Sequence, residues 1–145
     1  MAGFEKIAES SDTLIGLLTA QCADLEELLS LARAETAAAE QRNFLTIVDI
    51  VSDRERIGRR LETYQGRIAE LRRTLGPEAV TRTEAASRAV EVARLTMEQD
   101  QKTRLLLSGA CDEITKELQT IDRTRARSAH YAQTETRGLR FDRSI

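Results

Sequence analysis

Between Ala86 and Ser128 one line of positions steps by four and three without a break: Ala86, Val90, Ala93, Met97, Asp100, Arg104, Leu107, Cys111, Ile114, Leu118, Ile121, Arg125 and Ser128. Gly109 is the only Gly or Pro within that span. Such steps keep side chains on one face of an α-helix. The segment is therefore expected to be a single long amphipathic helix whose stripe lies against another helix. At ~1.5 Å per residue it runs on the order of 60–70 Å. A stripe that long is covered only by helices of similar length, so the chain is expected to be elongated and to act by binding other proteins.

Composition narrows the fold class to all-α. Only 3% of the 145 residues are aromatic, and one Pro and seven Gly supply few turns for a β protein. Charged residues reach 32%, a level common in long-helix and coiled-coil proteins. The net charge of −2 gives no global pull toward nucleic acid. Charge is unevenly placed: acids dominate residues 1–50, and Arg dominates 51–75 and 123–145. Met1–Gly16 lacks the basic start and apolar core of a signal peptide, and no apolar run nears the ~20 residues that span a bilayer. A cytoplasmic location without membrane insertion is expected.

The first helix is expected from a cap at Ser11 or Asp12, with Phe4 and Ile7 available to extend it. Its stripe of Leu14, Ile15, Leu17, Leu18, Cys22, Leu25, Leu28, Leu29 and Ala32 is wide enough to touch two neighbours. The stripe thins over Glu35–Asn43 and then changes phase. Beyond it, Ile47, Ile50, Arg54, Ile57, Leu61, Tyr64, Ile68, Leu71 and Leu75 form one line, and Phe44, Val48 and Val51 another. Either a turn lies near 38–43, or one helix kinks there; the turn is expected, because it lets three helices fold back within one chain. Leu75-Gly76-Pro77 ends the second helix. A loop over 76–81 and a capping box at Thr81-Arg82-Thr83-Glu84 introduce the third. The fold is thus an elongated antiparallel bundle or coiled coil of three long helices. It forms one domain over 1–131, and 132–145 is a flexible tail, since a short polar segment is not stable as a helix alone.

No catalytic or metal constellation emerges. The single His, His130, lies near a helix end, and Cys22 and Cys111 match no metal spacing and read as buried free thiols. No glycine-rich phosphate loop and no Glu-x-x-His pair is present. The chain is expected to be no enzyme and to need no cofactor. Asp100 and Arg104, with Arg54 at nearly the same level of an antiparallel neighbour, read as a polar layer that sets register, or else as determinants for a partner helix. Val92, Leu95 and Leu106 make a second apolar line on the long helix. It packs on both other helices or lies open as a groove for a foreign helix. The Arg-rich stretch Arg54–Arg73 is interleaved with acids and reads as a solvated face.

The order of these features resembles the FlgN-type flagellar export chaperones. Leu14–Ala32 is similar to that family's Leu-rich opening helix. Ile50-Val51-Ser52-Asp53-Arg54-Glu55-Arg56-Ile57 is similar to its second-helix pattern. Gln99-Asp100-Gln101-Lys102-Thr103-Arg104-Leu105-Leu106-Leu107 resembles its polar patch before a Leu cluster, although the family often has Asn in that patch. Tyr131 to Ile145 resembles its loose C-terminal tail. The resemblance implies a cytoplasmic type III secretion chaperone that shields the C-terminal helices of hook–filament junction proteins and delivers them to an export-gate component. It would act as a monomer or weak homodimer, using the last helix and the tail, here Val92, Leu95, Leu106, Tyr131, Leu139 and Phe141. A self-associating coiled-coil adaptor with no client transfer is the alternative. An Arg-dependent regulator of an acidic partner stands further behind.

Overall fold

The phase change near residue 40 is a turn. In the computed structural model, helix α1 (Ala2–Glu40) stops there and α2 (Phe44–Leu75) begins after three intervening residues. Arg42 takes a φ of 54°, its N–H donates to Ala39 O at 3.1 Å, and the Asn43 N–H donates to Ala38 O at 2.9 Å. These paired bonds close a helix end in the Schellman manner, with Arg where Gly is usual. Asn43 then caps α2, its Oδ1 accepting from the Thr46 N–H at 3.3 Å. A capping Asn and a left-handed Arg thus achieve the break that no Gly or Pro signals in the sequence.

The description covers residues 2–81 and 83–142, and for residue 81 and residues 136–142 it covers the backbone alone. Within it every regular element is a helix: α1, α2, the single turn α3 (Glu78–Thr81) and α4 (Glu84–Asp142), with no strand among the described residues. It divides into two compact units, Met1–Leu106 and Leu107–Ile145, earlier than the expected boundary after residue 131.

In the first unit, α1 starts at Ala2, well ahead of Ser11 and Asp12. Gly76, at φ 93°, ends α2 as expected, donating to Arg72 O at 2.9 Å. The stretch read as a plain loop contains α3, and the cap of α4 is Thr83, whose Oγ1 accepts from the Ala86 N–H at 3.2 Å. Thr81 lies inside α3, and Arg82 lies outside the described residues. Contacts across the unit fix the directions. Glu35 meets Arg54 and Asp24 meets Arg60, so α1 and α2 are antiparallel. Glu26 meets Arg88 and Thr36 meets Thr103, so α1 and α4 run parallel.

Every member of the α2 line from Ile47 to Leu75 is buried or half-buried, and Phe44, Val48 and Val51 are exposed, so this seam matches its sequence reading. At the α2–α4 connection Leu14, Leu18 and Ile68 form a cluster closed over by Leu17, Tyr64, Leu71, Leu75, Val80 and Ala85. Farther along, Leu29, Ala32, Ala38, Ala39, Ile47, Ile50, Ile57 and Val92 are buried.

The seam of α4 in this unit differs from the expected one. Val92, Thr96 and Thr103 are buried and Gln99 and Leu106 half-buried, whereas Val90 and Met97 are 72% and 73% exposed and Arg104 is exposed. The covered line keeps the four-three rhythm but is offset by one residue, about 100° of rotation. Hydrogen bonding makes its polar members acceptable inside. Thr96 Oγ1 donates to Val92 O at 2.8 Å, and Thr103 and Thr36 share a hydroxyl hydrogen bond at 2.8 Å.

Candidate partner-binding face

Six positions were expected to face a partner, and the structure separates them. Val92 is 0% exposed, a core residue of the first unit, and so cannot line an open groove in this fold. This corrects its reading as a contact: the line it belongs to is the one the bundle covers. Leu95 and Leu106 are half-buried in the same unit. Tyr131 is exposed in the second unit. The side chains of Leu139 and Phe141 lie outside the described residues. Their backbone continues α4, which stays helical to Asp142 through the stretch expected to be a tail.

Part of the polar patch packs within the first unit: Gln99 and Asp100 are half-buried and Thr103 buried, while Gln101 and Lys102 are exposed. Arg54 of α2 donates from Nη1 and Nη2 to the two carboxylate oxygens of Asp100 at 2.8 and 2.9 Å, and from Nη1 to Glu35 Oε2 at 2.6 Å. One guanidinium therefore ties all three long helices together. Asp100's hydrogen bonds raise the pKa of Arg54; burial opposes this and Glu35 adds to it. Beside the triad, Thr36 Oγ1 lies 2.8 Å from Thr103 Oγ1 and 3.1 Å from Gln99 Oε1. Among the described residues no buried side-chain N or O atom lacks a partner. Asp100 thus joins Arg54 in a register-setting layer, while Arg104, expected alongside it, is exposed.

A second such link was missed. Asp24, buried in α1, accepts from Arg60 Nε and Nη2 at 3.1 and 3.0 Å, and Glu27 accepts from Arg60 at 3.4 Å. Its signal was present in the sequence as the acid-rich first helix and Arg-rich second. Two arginines of the stretch read as a solvated face instead reach across to acids of α1.

The thiols also part company. Cys22 is half-buried, and burial raises its pKa, with Glu26 adding and Arg88 opposing. Cys111, expected in a buried seam, is free and exposed. No group of three or more His, Cys, Asp or Glu among the described residues is placed to hold a metal ion. No described helix is long and apolar enough to cross a membrane.

The second unit holds the apolar surface that the sequence reading assigned to the bundle. Every residue from Cys111 to Glu135 is exposed. Ile114, Leu118 and Ile121 lie on one stripe there, at spacings of four and three, and Leu118 is 56% exposed. Their rhythm was read correctly and given the wrong cover. Nothing in the sequence says whether a heptad will meet its own chain or another. No protein-family model matches this chain, and comparisons with curated proteins and with solved structures return no match. The face therefore stands on its own geometry.

Proposed function

We propose that this chain is a non-enzymatic export chaperone of the FlgN type, acting in the cytoplasm of a flagellated bacterium. In this reading it captures the C-terminal helices of hook–filament junction proteins, keeps them from assembling and hands them to the export gate. The observation that carries the reading is the exposed stripe Ile114, Leu118 and Ile121, set in a run from Cys111 to Glu135 with no buried member. Apolar side chains repeating every third and fourth residue on a solvated helix suit an amphipathic partner helix. Tyr131 adds an aromatic anchor farther along, and Leu139 and Phe141 remain candidate contacts by sequence. Val92 is dropped from the contact set, and Leu95 and Leu106 serve as supports of the bundle. A site of this kind needs no cofactor, and the client's gain is shielding of its assembly surface.

The heptad spacing of the stripe also favours a second reading, a coiled-coil adaptor that pairs with itself. One experiment separates the two. The full chain, a 1–131 truncation and Leu118→Asp are copurified with C-terminal segments of hook–filament junction proteins from the same genome. Near one-to-one capture by the full chain, lost in Leu118→Asp and reduced by the truncation, supports the chaperone. Absence of capture, with a stable dimer by light scattering that Leu118→Asp dissolves, supports the adaptor.

A further inference from the structure

The flanks of the exposed stripe carry one sign of charge. With each residue turning the helix by about 100°, Glu117 lies immediately to one side of the line Ile114, Leu118, Ile121 and Asp122 immediately to the other. Both are exposed, and neither has an ion-pair partner among the described residues. Lys116, Arg123 and Arg127 fall on the far side of the helix, and Arg125 lies on the line itself beyond Ile121, where its apolar part ends. In heptad terms, Cys111, Ile114, Leu118 and Ile121 fill the core positions, and Glu117 and Asp122 fill the two flanking positions that select partners.

This pattern disfavours a second copy. A parallel, in-register pair would set Glu117 of each copy against Asp122 of the other, which is like-charge repulsion repeated by symmetry. An antiparallel pair centred between Leu118 and Ile121 would set Glu117 against Thr124 and Asp122 against Thr115, with no ion pair gained. A helix with Lys or Arg beside its apolar line meets both carboxylates favourably. We infer that the stripe takes an amphipathic helix of a different protein, one whose apolar line is flanked by basic residues. The inference rests on the client-capture reading and adds to it the charge of the client. Selectivity comes from the flanks, since an apolar stripe alone accepts most amphipathic helices.

The test uses the full chain and two synthetic four-heptad peptides with the same Leu stripe. One carries Lys at every flanking position, the other Glu. Binding is read by fluorescence anisotropy at low salt. The Lys-flanked peptide should bind about tenfold more tightly than the Glu-flanked one. That ratio should fall to within about twofold in the Glu117→Gln/Asp122→Asn double variant and at high salt. Leu118→Asp should abolish binding of both. Circular dichroism checks that each variant keeps its helicity; all three positions are exposed, so folding should be unaffected. Equal binding of the two peptides, or preference for the Glu-flanked one, overturns the inference. So does failure of both to bind a chain that is a dimer dissolved by Leu118→Asp. The two layers of the argument fail separately. If junction-protein segments copurify equally with wild type and with Glu117→Gln/Asp122→Asn, the charge inference falls and the chaperone reading stands. If those segments are not captured but the Lys-flanked peptide is selected, the client's identity falls and the charge inference stands.

Discussion

Ile57 and Leu118 each sit on an apolar line with helical spacing, yet Ile57 is 2% exposed and Leu118 56%. The first belongs to the unit Met1–Leu106, where three long helices cover one another's seams. The second belongs to the unit from Leu107 onward, where no described residue from Cys111 to Glu135 is buried. The same periodic code thus yields a core in one region and an open stripe in the other. Periodicity reports that a face seeks cover; the number of neighbouring helices within reach decides whether the chain supplies it.

Substitutions can break this contrast, and their effects should fall off in order. Ile57→Ala should cost the first unit about 3 kcal/mol, because a fully enclosed side chain leaves a cavity. A drop in the urea midpoint with an unchanged slope would show it, and a change below 1 kcal/mol would mean the core is looser than described. Arg54→Ala should cost about 2 kcal/mol by the same measurement. It strands the largely buried Glu35 and frees Asp100, an effect moderated by the partial exposure of Arg54 itself. Asn43→Ala should cost about 1 kcal/mol through loss of the α2 cap. Leu118→Ala should leave stability within about 0.5 kcal/mol of wild type while weakening capture of an amphipathic helix. A larger loss of stability would mean that the stripe is covered in the free chain. The finest distinction is between the thiols. Iodoacetamide should alkylate Cys111 before Cys22, because burial both hinders Cys22 and holds down its thiolate fraction. Mass spectrometry of a time course reads the order.

Much of the bundle was legible in the residues. The line from Ile47 to Leu75 could be read directly because its members are mostly large and apolar, and Gly76-Pro77 left no doubt about where that helix ends. The seam of α4 was misplaced by one residue for the complementary reason. Its covered line includes Thr96, Gln99 and Thr103, whose polarity is satisfied by hydrogen bonds visible only once the helices are assembled, while Val90 and Met97 beside it look like core. Hydropathy ranks side chains by their cost alone in an apolar medium and not by the partners they will find. The meeting of Arg54 with Asp100 could be foreseen from an antiparallel register; the third member, Glu35, could not, since it depends on how α1 is rotated. For the candidate face, the stripe was in view and its exposure was not.

The Arg54 layer has a consequence for how this sequence can change over generations. Arg54 is bound to one acid 19 residues away in the chain and to another 46 away. A lineage that loses Arg54 inherits a largely enclosed Glu35 with no counter-charge, whereas one that loses either acid keeps Arg54 paired with the other. Arg54 should therefore change more slowly than either acid, and both acids more slowly than the solvated surfaces around them. The strictest inheritance thus falls on the one residue that two distant segments share.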